Sequence, residues 1–392
     1  MSTIYERALE KHVEWKGKLE VSLKAPLETN DDLSMAYTPG VAQPCLEIEK
    51  DPDSVYKYTW KGNSVAIVTD GSAVLGLGDI GPMAGLPVME GKAILFKKFA
   101  GIDAVPICLD AREPKEIVRI VKAIAPAFGG INLEDISAPR CVEIERALIE
   151  ELEIPVFHDD QHGTAIVVTA GLINALKLVG KKAEDVTVVI SGTGAAGSSI
   201  IRMLKKLGVK TIYAFNKDGM VVREEYEMYD HLVRELVEIT NSQRKKMSIA
   251  EALKEAEVFI GVSAPGLLTA EMVSEMKKDP IVFALANPEP EISYAEAVAG
   301  GARVVATGRS DYPNQINNVL AFPGLFRGAF DVRARKINEE MKMAAAIGIA
   351  SLVSDTELNE EYIVPSALDP RVTAVVAKEV SKKAVETGVS SL

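Results

Sequence analysis

Two pairs of adjacent carboxylates, Glu134-Asp135 in NLEDIS and Asp159-Asp160 in FHDDQHG, are the side chains of this sequence best suited to chemistry. Each pair closes an apolar stretch that reads as a strand, and ligands bind at the carboxyl ends of strands in open parallel sheets. Carboxylates converging there repel unless a cation neutralises them, and all-oxygen ligation selects a hard ion, Mg2+ or Mn2+. Neighbouring side chains on a strand point to opposite faces, so a pair can serve one ion only where the strand has ended. The competing reading is ordinary helix N-cap acids, since a helix is expected after each pair. His158 and His162 flank the second pair and, with so many carboxylates at hand, read as structural rather than as ligands. His12 and His231 lie in polar helical stretches.

Lys92 in MEGKAILFKKF opens an apolar helix, with Lys97 and Lys98 on its later turns. An ammonium half-buried at a helix N-terminus near a metal is destabilised, so its pKa is expected to fall. That would suit a general base near neutrality. The bland alternative is a solvated surface charge. Tyr37, beside Thr38-Pro39-Gly40, carries no signal of its own.

Glycine spacing supplies a second kind of chemistry. The β-branched run Val186–Ile190 leads into Gly192-Thr193-Gly194-Ala195-Ala196-Gly197, and an amphipathic helix begins at once. That is GxGxxG between strand and helix, the arrangement that turns tightly, admits a pyrophosphate and aims a helix N-terminus at it. The next strand, TIYAFN, ends in Asn216-Lys217 instead of an acid, which favours NADP over NAD because no carboxylate repels a 2′-phosphate. A second match, Gly76-Leu77-Gly78-Asp79-Ile80-Gly81, runs into PMAGLP. Its spacing suggests a turn shaping the cleft, with no helix N-terminus behind it.

The elements that must position these groups alternate strand and helix from Ser64 onward. SVAIVTD, AVPICLD, GINLEDI and IPVFHDD read as strands of one parallel sheet, with helices near 113–125 and 139–152. A long helix over about 162–179 leads to the dinucleotide unit and three more strands, AEVFIGVSA, PIVFALANP and ARVVATG. The fold class is therefore α/β with two domains. Residues 1–161 form a parallel-sheet catalytic lobe, and residues 162–309 a Rossmann-type, doubly wound dinucleotide domain. Residues 310–392 are mostly helical and return to the first lobe.

Composition narrows the function further. At 392 residues and a net charge of −12, the chain suits neither nucleic acid nor an anionic membrane surface. Cys45, Cys108 and Cys141 form no CxxC pair, which fits buried thiols in a reducing compartment. The first residues, MSTIYERALEKHVEW, lack an apolar signal core, and a cytoplasmic location is expected.

Taken together the motifs resemble the malic enzymes of the short prokaryotic type. The residues that carry the resemblance are AYTPGVA (36–42), TDGSAVLGLGDIGP (69–82), EGKA (90–93), NLEDI (132–136), HDDQHGTA (158–165), GTGAAG (192–197), ANP (286–288) and NNVLAFPG (317–324). The resemblance implies oxidative decarboxylation of L-malate to pyruvate and CO2 with NAD(P)+, in a homodimer. It implies Lys92 as base at the C2 hydroxyl, Tyr37 as the acid that protonates C3, and Asp159 as the group orienting Lys92. Glu134, Asp135 and Asp160 would hold Mg2+ or Mn2+. Asn287 and Asn317 or Asn318 would bind the substrate carboxylate or the nicotinamide ribose, and Gly76–Asp79 would approach the cofactor. Larger eukaryotic members have an arginine for the substrate carboxylate where this chain has Ala73, so amide and hydroxyl donors such as Ser72 must serve. Two other outcomes remain open at this stage: lactate formation with a retained cofactor, and a nucleotide-sensing module without catalysis.

Overall fold

The computed structural model describes residues 3–74 and 76–392, so Leu75 of TDGSAVLGLGDIGP lies outside the described residues. Near its start the chain forms short helices, among them Ile4–Trp15, Asn30–Ala36 and Ala42–Lys50, none with a buried residue.

The first sheet holds β1 (Ser64–Thr69), β2 (Asp103–Cys108), β3 (Gly130–Leu133) and β4 (Val156–His158), all parallel, in the order β2-β1-β3-β4. The chain leaves β1 for one neighbour and returns to the other side, so the carboxyl ends of β1 and β3 flank a topological switch point. The second sheet holds β5 (Thr187–Ser191), β6 (Thr211–Asn216), β7 (Gly219–Met220), β8 (Val258–Gly261), β9 (Ile281–Ala284) and β10 (Val304–Thr307). Its order is β10-β9-β8-β5-β6-β7, doubly wound about β5. It is parallel except for β7, a two-residue hairpin partner of β6 that has too little sequence to announce itself.

Three expectations change. The strand expected over IPVFHDD stops at His158, and the helix expected from 162 begins three residues earlier, as Asp159–Leu178. The acids close the strand in sequence, yet they occupy the first turn of that helix, where the macrodipole favours negative charge. The expected lobe boundary at 161/162 consequently falls inside one continuous helix. Next, PMAGLP is helical: Gly81–Ala100 starts at the last glycine of the second glycine motif, with Pro82 in its first turn. Proline is preorganised for that position and loses no intrahelical hydrogen bond there, so the sequence held a helix start that read as a loop. Finally, Lys92 lies in the middle of that helix, not at its N-terminus.

Asp159–Leu178 is buried nearly all round and joins the lobes, sharing a core with β1, β5, Phe157 and Phe322. The segment beyond 310 forms helices Phe322–Asp331, Glu339–Ser351 and Arg371–Glu386. It packs on the first lobe through Phe96, whose ring centroid lies 4.7 Å from Phe322 and 5.3 Å from Phe326. Among the described residues no helix is long and apolar enough to cross a membrane.

Candidate active site

The end of β3 explains how adjacent acids can share one ion. Asp135 takes a left-handed backbone (φ 53°), which breaks the strand's alternation directly after Leu133. Glu134, Asp135 and Asp160 each place a carboxylate oxygen within 4.8 Å of the others. The Asp135 N–H donates to Asp160 Oδ2 at 2.8 Å, tying the two strand ends together. Neither acid pair is an N-cap: His158 caps Asp159–Leu178, and Pro139 precedes the helix Arg140–Glu151.

Lys92 is buried at the centre of this group. Its ammonium contacts Asp159 Oδ2, lies 2.9 Å from Glu134 Oε1 and sits 4.0 Å over the Phe322 ring. Burial alone would lower its pKa, but Asp159 and Glu134 outweigh that and hold it above the ordinary lysine value. That direction is opposite to the one expected for a lysine at a helix N-terminus beside a metal, because Lys92 lies mid-helix and two carboxylates face it. Burial pushes Asp159 up to about 8, and it raises Glu134 and Asp160 as well. Burial also holds the neighbouring His158 down at about 4, hence neutral at pH 7. Glu134 and Asp159 thus share the Lys92 ammonium. Asp159 Oδ1 has no hydrogen-bond partner among the described residues. A buried, oxygen-only donor set short of positive charge fits a hard divalent cation.

Asn318, expected at the substrate carboxylate or the ribose, donates instead to Asp159 Oδ2, so it holds the lysine's partner. Other positioning groups escaped the sequence reading. A Cβ at Gly163 would stand 2.0 Å from Asp159 Oδ1, so a glycine one turn after Asp159 is the signal that was available. Glu145 accepts from the His158 backbone at 2.8 Å, from Gln161 at 3.2 Å and from His162 Nε2 at 2.9 Å. His162 Nδ1 lies 2.9 Å from Ser199 Oγ and 3.2 Å from Lys342 Nζ. This network joins the turn that carries Asp159 and Asp160 to the nucleotide helix and to the returning segment. His158 Nδ1 accepts from Gln161 N at 3.3 Å, so both histidines have partners in the frame around the acids.

Ser72 spends its hydroxyl proton on Asp70 at 2.5 Å and accepts from Ser137 N and Arg140 at 2.9 Å. As arranged, it has no proton left for a substrate carboxylate. Arg140, also on Asp70 at 2.9 Å, brings a guanidinium to the residue before Ala73. Asn317 Oδ1 caps Val319 N at 3.0 Å, and the Asn287 amide donates to Leu285 O at 3.3 Å. Tyr37 is 68% exposed, and among the described residues its phenol makes no hydrogen bond to Lys92 or the acids. Of the cysteines Cys141 is buried, its thiol pushed up to about 12 by burial, whereas Cys45 is exposed.

The glycine fingerprint has the geometry its spacing requires. Gly192 adopts φ 107°, and a Cβ there would stand 2.7 Å from Val262 O. A Cβ at Gly197 would stand 1.9 Å from Gly192 O, whereas Gly194 faces open space. The helix Ala195–Leu207 follows directly. A cavity of about 1080 Å³ adjoins Gly192–Gly194, Asn216, Lys217 and Asp218, with Ala138 and Pro139 of the first lobe on its wall. Its lining stops short of Lys92 and the metal-site acids. A Cβ at Gly76 would stand 3.7 Å from Pro288 Cδ, so the second glycine loop and the Asn287-Pro288 turn come together across the lobes.

The same pairing of lobes has been seen before. Residues 16–116 match the malic enzyme N-terminal domain, and residues 161–385 match the malic enzyme NAD-binding domain. This chain belongs to the malic enzyme family. It is 59% identical to the NAD-dependent malic enzyme of Geobacillus stearothermophilus, over 95% of this chain and 78% of that protein. It is 55% identical to the bifunctional malic/malolactic enzyme of Bacillus subtilis, over 100% of this chain and 95% of the other. Further relatives are named NADP-dependent malic enzymes. The solved malic enzyme from Pyrococcus horikoshii superposes with a TM-score of 0.94 at 50% identity, covering 99% of this chain and 92% of that one. The chain is thus an oxidoreductase of the decarboxylating malate class with a dinucleotide-binding domain.

Proposed function

We propose that this malic enzyme works as a cytoplasmic homodimer that converts L-malate to pyruvate and CO2 by the residues described above. The observation that carries the assignment of roles is the buried Lys92, wedged between Asp159 and Glu134 at the switch point of the first sheet. When bound, the nicotinamide dinucleotide supplies the hydride acceptor, and Mg2+ or Mn2+, held by Glu134, Asp135 and Asp160, supplies Lewis acidity and cancels charge that keeps Lys92 protonated. Lys92 Nζ takes the proton of the C2 hydroxyl. Asp159, itself held by Asn318, fixes the lysine's direction, and Phe322 closes the ring face above it. Tyr37 returns a proton to C3 of the enolate left after CO2 departs, so one proton is taken and one given back. Asn317 and Asn287 bind the substrate carboxylate or the ribose, and Arg140 supplies the positive charge missing at Ala73.

Tyr37 is exposed in its own chain and is assigned to the site of a neighbouring copy. It belongs to a segment with Ile4, Leu9, Val13, Trp15 and Met35 all more than half exposed. A second copy is the occupant that both buries these side chains and receives Tyr37. For the nucleotide, Asn216 and Lys217 favour NADP, while Asp218 in the same turn opposes a 2′-phosphate.

A second outcome rests on the Bacillus subtilis relative, whose name includes malolactic activity. Product analysis separates the two. Pyruvate equimolar with reduced nucleotide supports the oxidative reaction, and lactate without net nucleotide reduction contradicts it.

A further inference from the structure

A second cavity, of about 480 Å³, lies at the opposite end of the first sheet. Gly62, Gly129 and Pro155 on its wall lead into β1, β3 and β4, so it sits at the amino ends of the strands whose carboxyl ends carry the acids. Even the four-residue β3 separates the two sites by roughly 10–13 Å at the usual strand rise.

Three cations border this cavity in a chain whose net charge is −12: Lys61, Arg333 and Arg335. Lys61 is buried, and its ammonium donates only to neutral carbonyls, Ala125 O at 3.0 Å and Phe128 O at 2.5 Å. Among the described residues no carboxylate pairs with it. Arg333 Nε is buried without a hydrogen-bond partner among the described residues. Lys61 Nζ and the Arg333 guanidinium each lie 5.4 Å from the Tyr56 ring centroid, so both cations gather about one aromatic ring. The nearby acids are at the rim: Asp53, 3.4 Å from Arg333, is 71% exposed, and Glu153, 4.0 Å from Arg335, is 84% exposed. Water screens both acids and also reaches Arg335, which is 53% exposed, so the charge left buried without an anionic partner is that of Lys61, with the Arg333 Nε donor beside it unused, a cost that a bound anion would reduce.

We infer that this cavity is a second binding site, for a small anion that presents carboxylate or phosphate oxygens to Lys61, Arg333 and Arg335. Its volume falls within the range of small-molecule pockets. The planar guanidinium groups suit either oxyanion, through paired N–H donors.

The test uses the full chain with Trp15→Phe, which leaves Trp60 as the single tryptophan, adjoining Lys61 and 5.9 Å from Phe128. Trp60 emission is followed during titration with inorganic phosphate and, separately, with succinate, each against sodium chloride at matched ionic strength. The expected result is a saturable change with at least one of them. It weakens at least tenfold on Arg333→Gln and on Lys61→Met, the arginine variant guarding against misfolding of the lysine one. Saturation by phosphate alone assigns the site to phosphate-bearing ligands, and by succinate alone to carboxylates. Three results overturn the inference: no change with either anion, an equal change with chloride, or a change that survives Arg333→Gln undiminished.

Discussion

At the residue scale, reactivity here follows from how few positive charges meet how many buried carboxylates. Lys92 was picked out by its place in EGKA, but the sign of its pKa shift was not legible, because the carboxylates that set it arrive from β3 and β4. The acids were legible as pairs. Their convergence depends on the left-handed backbone at Asp135, which no spacing rule announces. Lys92→Ala should lower kcat by about 10³-fold or more, the scale of a lost general base. Asp160→Asn should instead act first on the metal, raising the Mn2+ concentration for half-maximal rate at least tenfold. If Lys92→Ala kept kcat within tenfold, or Asp160→Asn gave an unchanged Mn2+ titration, that role would be lost.

At the scale of elements, the site depends on where helices start. Both acid-bearing turns and both glycine motifs sit beside a helix N-terminus or a strand end. GTGAAG is legible because an apolar strand and an amphipathic helix flank its glycines. GLGDIGPMAGLP is not, because proline in the first turn of a helix has the pattern of a loop. The fingerprint glycines separate function from fold. Gly194→Ala points into open space, so thermal stability should hold while KM for the nucleotide rises several-fold. Gly197→Ala drives a methyl group into Gly192 O and should cost about 1–3 kcal/mol of stability. Equal melting temperatures for the two variants would contradict this division. Glu145 ties the same elements together. Burial opposes its ionisation, but His162 and its other partners bring it down to about 2. A carboxylate whose folded pKa is depressed stabilises above its unfolded pKa and loses that contribution as pH falls through the folded one. Stability should therefore decline between about pH 5 and pH 2, and Glu145→Gln should flatten that decline in acid-unfolding curves. An unchanged slope in the variant would remove Glu145 as the source.

At the scale of the whole molecule, the two parallel sheets, the doubly wound order and the helical return were legible. Strands alternating with covering helices leave few other ways to bury both faces of a sheet. The role of the return was less so. Phe322 and Asn318 close the site from over 150 residues beyond Asp159, and only tertiary packing brings them there. The exposed face of the first 60 residues was equally hidden, because its apolar side chains count as core in any sequence pattern. A dimer in which Tyr37 serves the neighbouring site predicts complementation. Mixing inactive Tyr37→Phe with inactive Lys92→Ala subunits, after dissociation and reassembly, should restore activity, since mixed dimers contain one intact site. No recovery from a confirmed mixed dimer would place Tyr37 in its own subunit's site.

The central claim is metal-dependent oxidation and decarboxylation of malate at one site. Its most direct test is absorbance at the reduced-nicotinamide band, with L-malate and Mn2+, using NADP+ and NAD+ in parallel and assaying pyruvate. The account predicts nucleotide reduction equimolar with pyruvate, abolished by a chelator and restored by added Mn2+. Reduction that persists without metal, or malate consumed with neither nucleotide reduced, would contradict it.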